Sequence, residues 1–248
     1  MTRSSPITVG RDGELARIEH AREVAATGIP VIVIVRGEAG IGKSRIVREV
    51  IERAAAAGST ILHGASLDLG GDGLPYLPIV EALRTLARTT PPDRLRDLLG
   101  PARSELAALL PELAAPAASD GERAPRLATS AESSVDRARL FERFLGFLGR
   151  LGEETPVVAV LEDVQWIDPA TRDLVTFLTR NVSTERVVAI LTCRTDDLAP
   201  GHPVLAWLGQ IAGASGAVRI DLGRLTLDDV RHQLDAMAGR PIENDLAA

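Results

Sequence analysis

A glycine-rich stretch with one lysine, GEAGIGKS at residues 37–44, matches the pattern G-x-x-x-x-G-K-[ST] at every fixed position. Glycines let the backbone curl so that successive N–H groups point at phosphate oxygens, and the following helix N-terminus adds partial positive charge. Lys43 carries a compact ammonium that reaches between phosphates, where a forked guanidinium fits poorly. It is also the single lysine among the 28 basic residues. The stretch predicts a nucleotide-phosphate site formed by Gly37, Glu38, Ala39, Gly40, Ile41, Gly42, Lys43, Ser44 and Arg45.

Two adjacent carboxylates, Glu162 and Asp163, follow the apolar run PVVAVL at 156–161. A buried strand has no use for two neighbouring acids, because each needs a partner or a costly proton. If residues 37–44 hold a triphosphate with Mg²⁺, one acid holds the ion, through a water, and the other orients or deprotonates the attacking water. The alternative is an exposed acidic turn. We expect Mg²⁺ at Ser44 and Glu162, partly through water. The catalytic residues are expected to be Asp163, Glu162, Lys43 and Arg194, while the division of roles between the two acids stays open.

A third apolar run, RVVAILTC at 186–193, ends at Arg194. An arginine at a strand end beside the phosphate site can sense a terminal phosphate through charge-assisted hydrogen bonds. Cys193 beside it is expected to be a small buried hydrophobe. After the two acids, Asp168 is expected to cap a helix that starts at Pro169, and Trp166 to pack on the sheet. Gln165 could face the nucleotide or water.

The elements that position these residues alternate between strands and helices. Strands are predicted at 30–36, 60–65, 156–161, 186–193 and 217–225. Helices are predicted at 43–57, 78–89, 92–99, 103–112, 134–152, 169–181, 203–213 and 226–239. This alternation predicts an α/β fold, with a parallel five-stranded sheet and helices on both faces. Ligands bind at the carboxyl ends of such strands. Residues 1–28 have no assigned element, and 113–133, rich in Ala, Pro, Ser and Gly, are predicted to be a flexible excursion.

Composition limits the possible classes of protein. The 248 residues suit one α/β domain with or without a small appendage, and the net charge of −6 argues against a broad nucleic-acid surface. One cysteine excludes an internal disulfide. The longest apolar stretch, residues 29–35, is far shorter than a membrane span, and the first ten residues lack the apolar run of a signal peptide. We therefore expect a cytoplasmic chain with no membrane contact.

Two nucleotide-binding classes are excluded by missing elements. A guanine-specific Asn-Lys-x-Asp element would need a second lysine, and the transporter signature LSGGQ is absent.

The motifs together resemble the ATPase module of the STAND class, the signal-transduction ATPases with numerous domains. The nearest resemblance is to large ATP-binding LuxR-type transcriptional regulators of the maltose-activator-like group. It covers most of the chain from Thr8 to about Leu234, and it rests on VGRDGELARI (9–18), GEAGIGKS (37–44), GLPYLPIVEALR (73–84), VLEDVQWIDPAT (160–171) and LTCRTDDL (191–198). The resemblance implies a P-loop NTPase fold of the ASCE or AAA-like type that binds ATP or ADP with Mg²⁺. It also implies that Val9, Gly10 and Arg11 lie near the adenine, that Lys43 contacts phosphate and that Arg194 is the phosphate sensor.

The family resemblance also implies a switch. ADP holds a closed form, ATP and an inducer favour an open form that self-associates, and slow hydrolysis resets the state. Residues 1–29 would contact adenine, 30–225 would form the ATPase core, and 226–248 would begin a helical lid that this chain truncates. Sensor and DNA-binding domains would follow in a longer protein, so that this chain itself would make no direct nucleic-acid contact.

Two other functions remain open from the residues alone. The chain could be a scaffold that ADP or ATP stabilises without turnover, or an AAA+-type oligomeric ATPase. The second would need an arginine that reaches a neighbouring subunit's site, and a chain this rich in arginine neither nominates nor excludes one.

Overall fold

The computed structural model describes residues 7–70, 74–114, 133–199, 201–215 and 217–238. The helices in these ranges are α1 (Asp12–Ala26), α2 (Lys43–Ala56), α3 (Leu77–Thr89), α4 (Pro92–Leu99), α5 (Arg103–Leu109), α6 (Ser133–Glu154), α7 (Pro169–Asn181), α8 (Pro203–Ser215) and α9 (Leu227–Ala238). The strands are β1 (Val31–Gly37), β2 (Thr60–Ala65), β3 (Val157–Glu162), β4 (Val187–Arg194) and β5 (Val218–Asp221). None of these helices is both long enough and apolar enough to cross a membrane.

The described strands form one parallel sheet in the order β2-β3-β4-β1-β5. Successive strand residues face opposite sides, so β1 to β4 contribute to two cores, whereas the edge strand β5 contributes to only one. One core lies under α1 and α2 and includes Val33, Val35 and Val160. The other lies under α3 to α8 and includes Ile32 and Leu161. The predicted parallel five-stranded sheet with helices on both faces is therefore confirmed.

Three boundaries differ from the sequence-based expectation. Residues 1–28 contain α1, whose apolar face is buried on the sheet. Helix α5 ends at Leu109, since Leu110 precedes a proline and takes an extended conformation. Strand β5 is shorter than 217–225, because at this edge of the sheet it pairs only with β1, from Val33 to Arg36.

The predicted flexible excursion at 113–133 falls mostly outside the described residues, which omit 115–132. Its first residue, Leu113, is 2% exposed and belongs to the core, and Ser133 begins α6.

The strand register decides which residues meet at the carboxyl edge of the sheet. Gly37 at the end of β1 pairs with Arg194 at the end of β4. Ala65 at the end of β2 pairs with Glu162 at the end of β3. Since β4 lies between β1 and β3, the glycine-rich stretch, the paired acids and Arg194 all lie along this one edge.

A cavity of about 90 Å³ lies beneath α3, α6 and α7, and the strand register explains it. One row across the sheet reads Leu62, Ala159, Ala189 and Ile32, so that two alanines stand side by side between larger residues. The alanine side chains are too short to reach the helices above them. The cavity lining is almost entirely apolar.

We predict that Ala159→Val raises the free energy of unfolding by about 1 kcal/mol, because it fills part of this cavity and suits a central strand. Urea unfolding would measure the change. Ala54→Val, at a buried alanine under the opposite face, is the control and should destabilise the protein through overpacking. If Ala159→Val loses as much stability as the control, Ala159 does not border a cavity that a larger side chain can fill.

Candidate functional site

The glycine-rich stretch forms a tight loop between β1 and α2. Gly40 and Gly42 have φ angles of 75° and 108°, which side-chain-bearing residues rarely adopt. A Cβ built at either position would meet no atom of the described residues within 4 Å. The backbone path, rather than lack of space, therefore requires glycine at both positions.

Lys43, the first residue of α2, points back into the loop. Its Nζ donates hydrogen bonds to the carbonyl oxygens of Gly37 and Glu38, each at 2.8 Å. The residue is 6% exposed. Burial lowers the pKa of the ammonium group, although the negative charge of Asp163 partly opposes this. The loop thus encloses one positive charge that interacts with Asp163, directly after β3.

Glu162 lies on the side of Ser44. Its Oε1 is 2.8 Å from Nε2 of His63, on the neighbouring strand β2. Burial opposes ionisation of this carboxyl, but hydrogen bonds from His63 and Ser44 outweigh it, and the pKa of Glu162 lies below its usual value. His63 is absent from the sequence-based predictions. The sequence pattern that indicates His63 is its position in β2. It lies two residues before the end of the strand, on the same face as Ala65, which pairs with Glu162.

Asp163 has different partners from its neighbour. Its backbone takes a left-handed conformation, with φ of 54°. Its carboxylate lies 3.2 Å and 3.3 Å from Nε and Nη2 of Arg194 and accepts a hydrogen bond from Gln165 at 3.1 Å. The Asp163 N–H donates to Thr192 Oγ1 on β4 at 3.0 Å. The turn after β3 therefore directs the two acids to two separate sets of groups.

Arg194 is held in place from several sides. Its guanidinium lies 4.6 Å from the centre of the Trp166 ring, and Nη1 lies 3.6 Å from Asp197. Its N–H donates to Oε1 of Gln165 at 3.0 Å. Gln165 is 5% exposed, so it joins β3 to β4 and does not face water. Trp166 was expected to pack on the sheet, but it is half-buried and belongs to neither core among the described residues; its ring instead covers the arginine.

Cys193 lies in the core, as predicted. It is buried, and burial raises the pKa of its thiol to about 11.

The N-terminal segment lies against the loop and α2. Arg11 is buried, and its Nη2 donates to the carbonyl oxygens of Ile41 at 3.1 Å and Gly223 at 2.7 Å. Thr8 accepts a hydrogen bond from Arg45 at 3.1 Å. Gly10 fits closely against Asp229, because a Cβ there would lie 2.4 Å from its carboxyl carbon. This places the stretch from Val9 to Arg11 beside the loop, next to the start of α9.

Asp196 is a second residue that the sequence did not single out. Its two carboxylate oxygens lie 3.0 Å and 3.1 Å from the backbone N of Ala39 in the loop. Only the pairing of β4 with β1 brings these positions together.

Asp168 caps α7, as predicted, and also ties it to α3. Its carboxylate accepts hydrogen bonds from the N–H of Thr171 at 2.9 Å and of Tyr76 at 3.3 Å, and from the Thr171 hydroxyl. The residue is buried.

We predict that Asp168→Ala lowers the free energy of unfolding by about 2–3 kcal/mol, because it leaves buried donors without an acceptor. Asp168→Asn is the matched control and should lose clearly less, since its amide oxygen can still cap the helix. Urea unfolding of both variants measures the difference, and equal losses would argue against the capping role.

The chemistry of the donor set suits Mg²⁺. The Ser44 hydroxyl and the Glu162 carboxylate are hard oxygen ligands, which this ion takes in small numbers alongside phosphates and waters. Among the residues described, no group of three or more His, Cys, Asp or Glu could hold a metal by itself.

A glycine-rich loop between a strand and a helix, beside an acidic strand end of the same parallel sheet, defines a P-loop nucleoside triphosphatase fold. A family model described as the AAA ATPase domain matches residues 8–191. Because this match spans most of the chain, the chain belongs to the AAA ATPase domain family.

The chain is similar to an uncharacterized protein of Rhizobium meliloti, at 28% identity over 236 residues. The match covers 92% of this chain but 21% of that protein, so the chain spans about a fifth of its length. The fold is similar to Cdc6p from Pyrobaculum aerophilum, with a TM-score of 0.60 and 12% identity over 98% of this chain and 54% of that one. At this identity the likeness establishes the fold alone.

A signal-transduction ATPase with numerous domains and a tetratricopeptide repeat sensor, from Pyrococcus horikoshii, matches with a TM-score of 0.47 and 14% identity. The match covers 94% of this chain and 26% of that one. A score this low supports no argument about function.

Proposed function

We propose that this chain is an ATP-binding and slowly ATP-hydrolysing switch module of a signal-transduction or transcriptional regulator. Membership of the AAA ATPase domain family supports nucleotide binding. The observation that carries the switch is the ion pair between Arg194 and Asp163 beside the phosphate loop.

Binding would use the loop residues from Gly37 to Arg45. Their N–H groups and the Lys43 ammonium would contact phosphate oxygens, and the segment from Val9 to Arg11 would contact the adenine. Lys43 already lies inside the loop, and Arg11 ties the N-terminal segment to Ile41. The position of Lys43 supports phosphate binding, and membership of the AAA ATPase domain family supports an adenine nucleotide, ADP or ATP, as the ligand.

The separate partners of the two acids support separate roles. Glu162, hydrogen-bonded to Ser44 and His63, would hold Mg²⁺ together with the Ser44 hydroxyl, partly through water. Asp163, on the side of Arg194, would orient the attacking water and accept its proton. The Mg²⁺ ion would supply charge neutralisation at the phosphates.

Arg194 is the element with two alternative partners. It is paired with Asp163 here, and a terminal phosphate offers a stronger, doubly charged acceptor. Transfer of Arg194 to that phosphate would release the Asp163 carboxylate to orient water. The presence or absence of one phosphate would thus decide between two arrangements of the same residues, as a switch requires.

The proposal also covers the division of the chain into segments and the longer protein to which it would belong. The division into residues 1–29, 30–225 and 226–248 would place the adenine contact, the ATPase core and the start of a lid in order along the chain. The LuxR-type assignment adds an inducer, self-association in the ATP state and DNA-binding domains outside this chain, in a cytoplasmic protein. The acidic net charge of −6 fits a module that does not itself contact nucleic acid.

Freshly purified protein tests the function directly. We expect denaturation to release bound ADP, and added ATP with Mg²⁺ to yield phosphate slowly. Nucleotide binding without phosphate release would replace the switch by a nucleotide-stabilised scaffold. Size measurements with and without ATP address the remaining alternative, because ring assembly in ATP would indicate an oligomeric AAA+-type ATPase.

A further inference from the structure

The loop residue Ala39 donates its N–H to a carboxylate that belongs to another part of the chain. Both oxygens of Asp196 lie within 3.1 Å of this nitrogen. Backbone N–H groups of a phosphate loop are the groups that bind anionic oxygens. The carboxylate of Asp196 therefore accepts a hydrogen bond from a backbone N–H group that a bound nucleotide would also use.

The backbone fixes this contact. Gly37 pairs with Arg194 in the sheet, and the N–H of Thr195 donates to the Gly37 carbonyl oxygen at 3.2 Å. Asp196 follows directly, so the chain leaving β4 crosses the start of the loop. The side chain has a short distance to span and only two rotatable bonds to order.

The charge of Asp196 is maintained by its surroundings. The hydrogen bond from Ala39 and the positive charges of Lys43 and Arg194 lower the pKa of this carboxyl. It is therefore ionised at neutral pH, and it faces the same two cations that a terminal phosphate would face.

We propose that Asp196 competes with the terminal phosphate of ATP for the Ala39 N–H, and so makes the site favour ADP over ATP; this rests on the proposed function. Asp196 lies two residues after Arg194, the proposed sensor of that phosphate. Its carboxylate would therefore lie near the terminal phosphate of a bound ATP. ADP lacks the competing group and leaves the Asp196–Ala39 contact in place. ATP must displace the carboxylate or bind beside it against charge repulsion.

Two variants separate charge from contact. Asp196→Asn removes the charge and keeps an oxygen acceptor, whereas Asp196→Ala removes both. Asp197→Asn is the matched control, because it removes one negative charge from the next residue, which pairs with Arg194 and has no hydrogen bond to the loop. Both positions, Asp196 and Asp197, are exposed, so all three variants should keep the fold, and thermal unfolding verifies this.

The experiment measures the Kd of ADP and of ATP for each protein by calorimetry. Mg²⁺ is left out, so that ATP is not hydrolysed during the titration. We expect Asp196→Asn to tighten ATP binding about three- to five-fold, the range for a screened surface charge, and Asp196→Ala to tighten it at least as much. ADP binding should change less than about two-fold, and the gain for ATP should shrink as salt is raised.

Each other outcome overturns the proposal in an identifiable way. If the proteins bind both nucleotides but the ratio of the two Kd values is unchanged, Asp196 does not discriminate and the proposed function stands. If Asp197→Asn gives the same gain, the loss of one negative charge beside Arg194 explains the effect and the contact with Ala39 does not. If the wild type and the variants bind neither nucleotide, the proposed function fails and this inference fails with it.

Discussion

Replacing Lys43 by methionine is expected to weaken the binding of ADP and ATP by at least about 100-fold. The ammonium would make charge-assisted hydrogen bonds to phosphate oxygens in a partly desolvated loop, and such bonds contribute roughly 1.5–3 kcal/mol each. Lys43 is buried inside the loop, so no neighbouring side chain can take over its place there. Calorimetric titration with each nucleotide would measure the change in Kd.

A second experiment removes the same charge without mutation. Lys43 is the only lysine of the chain, so the only amines that acetylation of the wild type can modify are this side chain and the terminal amine. Bound ATP should protect Lys43, and the acetylated protein should match Lys43→Met in its loss of binding. Lys43→Arg serves as the control for charge, and we expect it to bind poorly because a planar fork does not fit the loop.

Stability must be separated from binding in this variant. Lys43 also holds the carbonyl groups of Gly37 and Glu38, so its removal costs some loop stability in the free protein. Thermal unfolding without nucleotide measures that part. If Lys43→Met keeps tight nucleotide binding, the loop is not the phosphate site.

Replacing Asp163 by asparagine is expected to lower the rate of ATP hydrolysis by about 10²- to 10⁴-fold, the usual contribution of a general base. Asparagine keeps an oxygen for Arg194 and loses the capacity to accept a proton. The Kd of ADP should change less than about three-fold. Phosphate release from saturating ATP measures the rate, and ADP titration measures binding.

Glu162→Gln should behave differently, because Glu162 is bonded to Ser44 and His63 rather than to Arg194. We expect a higher Mg²⁺ concentration for half-maximal activity and a smaller loss of rate at saturating Mg²⁺. Asp221→Asn, at an exposed acid paired with Arg36, is the control for general charge. The opposite pattern, in which Glu162→Gln stops turnover and Asp163→Asn shifts the Mg²⁺ requirement, would reverse the two roles.

Much of the fold followed from local patterns in the sequence. Apolar β-branched runs and amphipathic segments located the strands and most of the helices, because their periodicities reflect burial on a sheet face. The helix α1 was not predicted, because it lacks a clear apolar periodicity. Arg, Glu and Ala dominate it, and its larger apolar residues are few and widely spaced. A proline determines where α5 ends, because Pro111 stops the helix earlier than the apolar periodicity indicated.

By itself the sequence determined the loop at 37–44, the capping role of Asp168 and the presence of two acids at the end of β3. Each depends on residues adjacent in the chain, through glycine backbone angles, a short polar side chain or the end of an apolar run. Only the tertiary structure decided that Glu162 meets His63 and Ser44, that Asp163 meets Arg194, and that Asp196 meets Ala39. These contacts join segments that are distant in sequence, and their geometry is fixed by the order and register of the strands that carry them. Neither is encoded in any local pattern, since both arise from the packing of the whole sheet between its two helical layers.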